Sequence, residues 1–115
     1  MQYRECGTSG LTMSALTLGL MVRDCAPGEA FESVRRTVLR AVDHGITAID
    51  LATGYGGGAV EQAVGAILRS DLAAHRDRLV LATKGGWGDG TRAGLTASID
   101  RSLSQLGVEC VDVYY

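Results

Sequence analysis

The sequence lacks the features that mark a membrane, secreted or nucleic-acid-binding protein. No apolar run approaches the ~20 residues that cross a bilayer, and residues 1–6 have no apolar centre of the kind that a secretory signal needs. Eleven basic and thirteen acidic residues give a net charge of -2, which offers little attraction to nucleic acid. We therefore expect a cytoplasmic protein without a membrane or nucleic-acid partner.

Cysteine and lysine are also scarce. The three cysteines, Cys6, Cys25 and Cys110, are odd in number and include no C-x-x-C pair, which predicts buried reduced thiols and neither a disulfide framework nor a zinc site. We accordingly expect no bound metal. Lys84 is the only lysine among eleven basic residues, so its single use calls for an explanation.

What the sequence does have is a regular alternation of apolar patterns. Sixteen glycines show no three-residue period, which excludes collagen, and 46% apolar with 21% charged residues is typical of a globular domain. A turn-rich stretch at 6–11 predicts a small hairpin before the first strand. Apolar residues then recur at strand and helix spacing in turn. The predicted strands cover 15–20, 46–52, 79–83 and 111–115, and the apolar stripes of the predicted helices cover 31–42, 60–68 and 95–106.

This order, a hairpin followed by β-α-β-α-β-α-β, predicts an α/β fold with a parallel sheet. Two architectures fit it: an open doubly wound sheet, or part of an eight-unit β/α barrel, which needs about 250 residues. Because the sequence stops inside an apolar strand, we expect residues 1–115 to be one domain that is incomplete at its C-terminus, with about three and a half β/α units.

Both architectures place functional residues at the carboxyl ends of the strands. Asp50 and Lys84 are ionisable residues at two of those ends, in an apolar context that makes an unpaired charge costly. They occupy corresponding points of consecutive strands about 5 Å apart, so we expect an ion pair at the edge of the sheet. The alternative is that this pair is purely structural.

Tyr55 lies on the glycine-rich loop 53–58, where sharp backbone turns can bring its phenol over the strand ends. A nearby ammonium favours the ionised phenol and makes Tyr55 a usable acid near neutral pH. The glycine pattern G-x-G-x-x-A at 54–59 also matches the dinucleotide fingerprint that precedes a helix. That fingerprint calls for an acidic residue at the end of the next strand, where this sequence has Lys84.

Two further residues have open roles. Glu61, near the start of the second helix, is expected either to stabilise that helix end or to hydrogen-bond to the active-site loop. Trp87, in the loop after Lys84, suits a substrate-pocket wall as well as a simple loop anchor.

With these residues in place, the sequence resembles the amino-terminal part of an aldo-keto reductase over essentially all 115 residues. Several separate matches in the right order make the resemblance specific. It is most similar to the branch of the family that contains glyceraldehyde 3-phosphate reductases and potassium-channel β subunits. The matching segments are Tyr3-Arg4, Ser9-Gly10-Leu11, Leu18-Gly19, Gly45-Ile46-Thr47, Asp50-Leu51-Ala52, Tyr55-Gly56, Glu61 with Gly65, Leu68-Arg69, Thr83-Lys84, Ser102-Leu103, Leu106-Gly107 and Val111-Asp112.

The resemblance implies an eight-stranded β/α barrel that uses NADPH to reduce aldehydes or ketones to alcohols. The family's catalytic residues fall on Asp50, Tyr55 and Lys84, with Tyr55 as the proton donor and Lys84, held by Asp50, assisting it. The family's fourth catalytic residue, a histidine, would fall just beyond Tyr115.

The resemblance also implies which residues contact the cofactor: Leu20, Met21 and Asp50. The family commonly has a tryptophan at the position of Met21, so this contact differs here. The substrate is expected to be a small carbonyl compound, and the short loop after Lys84 means that no particular substrate is carried over from the family.

Three hypotheses follow from the resemblance. The leading one is an NADPH-dependent reductase that is active in the complete protein. The second is a non-catalytic barrel that senses cofactor or binds a partner protein, as the channel-associated relatives do. The third is an inactive fragment, because most contacts to the cofactor's phosphates and adenine would lie beyond residue 115.

Overall fold

The computed structural model describes residues 1–85 and 90–115. Six strands and three helices of eight or more residues occur in the described parts of the chain. In chain order they are β1 (Tyr3–Glu5), β2 (Thr12–Ser14), β3 (Thr17–Gly19), α1 (Glu29–Asp43), β4 (Ala48–Asp50), α2 (Ala59–Ser70), β5 (Val80–Thr83), α3 (Arg92–Leu106) and β6 (Val113–Tyr114). The predicted hairpin and the predicted alternation of strands and helices are confirmed.

Strands β3 to β6 form a parallel sheet in which each strand lies beside the one before it in the sequence. An open doubly wound sheet reverses its strand order at a switch point, and these four strands do so nowhere. The order therefore favours the barrel over the doubly wound alternative.

The two faces of the parallel sheet differ in character. On one face, apolar strand residues pack with all three helices in a single core that includes Leu20, Ile49, Leu51, Leu81, Val38, Val64 and Leu106. The other face is concave and open, and its lining includes Thr17, Gly19, Asp50, Ala82, Lys84, Val113 and Tyr115. Because side chains alternate along a strand, each strand supplies apolar residues to the core and different residues to the open face. Helices over one face only are the arrangement of a barrel wall.

The hairpin formed by β1 and β2 is attached to the amino end of the parallel sheet. The Ser14 backbone N–H donates to Thr47 Oγ1 at 2.9 Å, and the Thr47 backbone N–H donates to Ser14 Oγ at 2.9 Å. The Tyr3 hydroxyl donates to the Gly45 carbonyl at 3.1 Å. Since residues 45–47 precede β4, the hairpin lies at the end of the sheet away from Asp50.

The helices begin and end where their local sequence predicts. Helix α1 follows Gly28 and stops at Asp43, before the expected His44-Gly45 signal. Helix α3 is capped by Thr91, whose hydroxyl accepts a hydrogen bond from the Gly94 N–H at 3.0 Å, and it ends before Gly107 with φ of 67°. Within the described residues, no helix is long and apolar enough to cross a membrane.

Helices α2 and α3 approach each other closely at Gly65. A Cβ atom at that position would lie 2.5 Å from the Gln105 carbonyl oxygen and 2.6 Å from the Leu106 carbonyl oxygen. No ordinary side chain fits this space, because a carbon atom rests about 3.5 Å or more from its neighbours. Gly65 therefore sets the distance between the two helices.

Two predictions about burial need correction. Cys25 is buried, but Cys6 and Cys110 are exposed, and all three thiols are free. Cys6 lies in the hairpin connection and Cys110 in the loop before β6, where the chain has no core to face. The expectation of buried thiols is thus wrong for two of the three.

The stripe predicted for α3 is also only partly buried. Leu106 is fully buried, Ile99 and Leu103 are half-buried, and Leu95 is exposed. Ser102, one turn before Leu106, takes a core position instead. Helix α3 is therefore less amphipathic in the structure than its leucines suggest.

Candidate functional site

The structure brings Asp50, Tyr55 and Lys84 together at the carboxyl end of the parallel sheet. Asp50 is the last residue of β4, and Lys84 directly follows β5. Tyr55 opens the short turn Tyr55–Gly58 between β4 and α2. Lys84, which is about thirty residues away in the sequence, thus shares one rim of the fold with Asp50 and Tyr55.

The Lys84 ammonium is held by a complete set of acceptors. Lys84 Nζ donates to Asp50 Oδ1 at 2.8 Å, to Asp50 Oδ2 at 2.9 Å and to the Leu51 carbonyl at 2.7 Å. An ammonium has three N–H donors, so these contacts can satisfy all of them. The expected ion pair is present, and its side chains are about one-third exposed, at 31% for Lys84 and 30% for Asp50.

The register of this pair differs from the expectation. Asp50 lies opposite Ala82 and not opposite Lys84. Lys84, just after the end of β5, is two residues beyond the point opposite Asp50, on the same face of the sheet, and its long side chain reaches back to the carboxylate. The prediction placed the two residues at corresponding points because apolar runs alone do not fix which residues pair.

The electrostatics keep Lys84 in its charged form. Burial lowers the pKa of the ammonium, but the hydrogen bonds and negative charge of Asp50, together with the interaction with Tyr55, outweigh burial, so the pKa of Lys84 lies above its ordinary value. Lys84 therefore remains a cation throughout the physiological pH range.

Tyr55 and Tyr115 place aromatic rings near the ammonium. Lys84 Nζ lies 4.9 Å from the centre of the Tyr55 ring and 5.9 Å from the centre of the Tyr115 ring. Both distances are within the range of a cation–π contact. The ammonium is therefore stabilised both by the Asp50 carboxylate and by the electron-rich faces of the two aromatic rings.

Glycine makes the turn that carries Tyr55. Gly56 and Gly57 have φ of 57° and 65°, a left-handed conformation that side chains rarely adopt. The Tyr55 backbone N–H also donates to the Ala52 carbonyl at 3.1 Å, which tightens the turn. The turn that begins at Tyr55 therefore accounts for glycine at these two positions, without the dinucleotide fingerprint considered for the same stretch.

A concave cavity of about 700 Å³ lies beside these residues. Its lining includes Asp50 and Lys84 at the rim and small residues such as Gly19 and Ala82 in the wall. A Cβ atom at Gly19 would have nothing within 4 Å, so the wall is open at this point. The cavity therefore has open space beside the Asp50 carboxylate.

The two other expected cofactor residues are placed very differently. Met21 is 80% exposed, which leaves its side chain free to contact a ligand. The Leu20 side chain is buried in the core, its N–H donates to the Asp50 carbonyl at 3.1 Å, and its carbonyl accepts from Val22 at 2.8 Å. Any contact from Leu20 must therefore come from its backbone.

One buried contact near the site was missed from the sequence. Glu61 in α2 is completely buried, and its Oε1 accepts a hydrogen bond from the Thr83 hydroxyl at 2.7 Å. Neither expectation for Glu61 included Thr83. An acidic residue in a first helical turn is a common pattern, so the sequence carried no signal that its partner lay on a strand.

Trp87, proposed as a pocket wall, lies outside the described residues. Over 1–85 and 90–115, no three His, Cys, Asp or Glu side chains cluster in a way that could hold a metal ion.

Comparisons with known proteins show the family to which the chain is similar. The model of the Aldo/keto reductase family matches residues 15–115. L-glyceraldehyde 3-phosphate reductase from Escherichia coli (strain K12) is 44% identical to this chain over 125 residues, which cover 100% of the chain and 36% of that protein. A "Probable voltage-gated potassium channel subunit beta" from Arabidopsis thaliana is 31% identical over 123 residues, which cover 100% of the chain and 37% of that protein.

A solved structure gives the same result for the fold. Aldo-keto reductase AKR11C1 from Bacillus halodurans (holo form) superposes with a TM-score of 0.80 at 29% identity, covering 99% of this chain and 39% of that chain. The chain thus spans a little over a third of the length of these relatives. Its sheet and helices form the N-terminal part of an eight-stranded β/α barrel.

Proposed function

Because this chain belongs to the aldo/keto reductase family, we propose that the complete protein containing it reduces aldehydes or ketones to alcohols with NADPH. The observation that carries the proposal is the position of the Lys84 ammonium, bound to both oxygens of Asp50 and 4.9 Å from the centre of the Tyr55 ring. An ion pair with a purely structural role would not require a tyrosine ring beside the ammonium.

Each of the three residues has a distinct role in this proposal. The Tyr55 hydroxyl donates its proton to the carbonyl oxygen of the substrate and is left as a phenolate. The Lys84 ammonium stabilises that phenolate, and Asp50 keeps Lys84 charged and oriented. Tyr55 then recovers a proton from water. When bound, NADPH would supply the hydride that reduces the carbonyl carbon.

The residues present suit the nicotinamide end of the cofactor. The open wall at Gly19 would leave room for a flat ring, and the exposed Met21 side chain would offer an apolar contact. The Asp50 carboxylate has lone pairs left after binding Lys84, so it can also accept a hydrogen bond from the ligand. We propose that Met21, Asp50 and backbone atoms of Leu20 hold this end of NADPH.

The direct test is Tyr55→Phe in the complete protein. We expect kcat for carbonyl reduction to fall about 100-fold or more, because the proton donor is removed, while the Kd for NADPH changes less than about twofold. Absorbance at the NADPH band with a panel of aldehydes measures turnover, and fluorescence titration measures binding. Undiminished turnover would rule out Tyr55 as the acid.

Tyr3→Phe is the matched control. It removes the same hydroxyl group, but Tyr3 bonds to Gly45 at the opposite end of the sheet. We expect its kcat to equal that of the unsubstituted protein. A loss of activity in both variants would point to folding and not to proton donation.

A second candidate function rests on the channel-subunit relative from Arabidopsis thaliana. Under it, the barrel binds cofactor and a partner protein without turnover. The aldehyde panel separates the two functions: NADPH binding without its oxidation by any aldehyde would favour the second.

We also propose a cytoplasmic location, which the free thiols of Cys6, Cys25 and Cys110 support. The 115-residue chain on its own is expected to be inactive, because it covers 36% of the reductase it resembles.

A further inference from the structure

Among the described residues, the carboxyl group of Glu61 is the most deeply buried acidic group that the proposed reaction does not use. Its side chain has 0% exposure, and within residues 1–85 and 90–115 one of its two oxygens has a hydrogen-bond partner, the Thr83 hydroxyl at 2.7 Å, while the other has none. Burying a polar group with an unpaired oxygen is costly, so the burial of Glu61 calls for an explanation. Its position in the fold suggests one.

Thr83 and Lys84 are neighbours whose side chains leave β5 in opposite directions. The Thr83 hydroxyl points to α2 on the helix side of the sheet, and Lys84 points to Asp50 on the concave side. A hydrogen bond that fixes Thr83 against α2 therefore fixes the backbone from which the Lys84 side chain extends.

Glu61 also lies near the segment that carries Tyr55, the other partner in the reaction. It lies in the first turn of α2, directly after the turn Tyr55–Gly58 that carries Tyr55. Thr83 is next to Lys84, and Glu61 follows the turn that begins at Tyr55. The hydrogen bond between Glu61 and Thr83 therefore joins the segment that carries Tyr55 to the segment that carries Lys84. A longer backbone hydrogen bond adds a weaker link between the same two segments: the Thr53 N–H donates to the Lys84 carbonyl at 3.5 Å.

We propose that Glu61 and Thr83 are positioning residues that set the distance between the Tyr55 phenol and the Lys84 ammonium. This inference rests on the proposed reductase function. Lys84 assists Tyr55 only at short range, and a displacement of about 1 Å in a reacting constellation can cost on the order of 100-fold in rate. The effect of the bond should thus appear in kcat and not in cofactor binding.

The test uses Thr83→Val in the complete protein, with NADPH and an aldehyde as substrates. Valine has nearly the shape of threonine but no hydroxyl, so the bond to Glu61 is lost while the packing stays similar. We expect kcat to fall about 10- to 100-fold, with the Kd for NADPH within about twofold of its original value. Thr83→Ser restores the hydroxyl and should recover at least half of the original kcat.

Ser102→Ala is the matched control for burial. Ser102 is also fully buried, on the neighbouring helix α3, and its hydroxyl has no hydrogen-bond partner in the described parts of the chain. Its kcat should remain unchanged. Combining Glu61→Ala with Thr83→Val should lower kcat no further than either change alone, because both remove the same bond.

Three results would each overturn the inference: a normal kcat for Thr83→Val, an equal loss in Ser102→Ala, or no recovery in Thr83→Ser. The variant Tyr55→Phe separates this inference from the function on which it rests. If Tyr55→Phe is inactive while Thr83→Val is fully active, only the inference fails. If Tyr55→Phe is fully active, the proposed function itself fails.

Discussion

Gly65→Ala should destabilise the protein, although alanine is the better helix former. The added methyl group would lie 2.5 Å from the Gln105 carbonyl oxygen and 2.6 Å from that of Leu106. Both atoms belong to the backbone of α3, so a side-chain rotation cannot relieve the clash. The two helices would have to separate by about 1 Å to restore an ordinary contact distance.

The size of the effect follows from two opposing contributions. Overpacking of a close contact typically costs about 1–3 kcal/mol, and a clash with backbone atoms belongs at the upper end of that range. Replacing glycine by alanine inside a helix returns about 1 kcal/mol through helix propensity. The net loss in the free energy of unfolding should therefore be about 2 kcal/mol.

Urea denaturation followed by circular dichroism measures this loss. With a slope of about 2 kcal/mol per molar urea, the midpoint should fall by about 1 M. Gly54→Ala is the control, because a Cβ atom there has nothing within 4 Å and the backbone has φ of -95°. Its midpoint should barely move. A midpoint for Gly65→Ala at or above that of the unsubstituted protein would refute the role given to this glycine.

Two other predictions concern stability. Hydrogen bonds from Arg35 and Ser70 lower the pKa of Asp71 from 3.8 to about 2, so its stabilising contribution is complete above pH 4 and is lost as the pH falls towards 2. Urea midpoints across that range should fall more steeply for the unsubstituted protein than for Asp71→Asn, and parallel curves would contradict this. Thr91→Ala removes the hydroxyl that caps α3 and should cost about 1 kcal/mol, whereas Thr91→Ser should restore most of it in the same assay.

Much of the fold could be predicted because its signals are local. The end of α3 is encoded by Gly107, whose left-handed backbone suits glycine, and the start of α1 follows directly after Pro27-Gly28. The alternation of apolar strands and amphipathic helices was enough to predict a parallel sheet. It was not enough to choose between a barrel and a doubly wound sheet, because that choice depends on which strands become neighbours.

The candidate site, like the fold, could be predicted only where its signals are local. Lys84 and Asp50 stood out because charged residues rarely end apolar strands, and the structure joins them as expected. The offset in register and the burial of Glu61 were not predictable, since both depend on contacts between residues distant in the sequence. Exposure of Cys6 was missed because a cysteine's apolar character says nothing about where its loop lies.

The alternation of side chains along β5 has a practical consequence for protein engineering. Ala82 and Lys84 face the concave cavity, while Leu81 and Thr83 face the helices. A designer could therefore randomise wall positions such as Ala82 to reshape ligand selectivity while the outer layer stays intact. Libraries that leave Leu81 and Thr83 untouched should contain a far larger share of folded members.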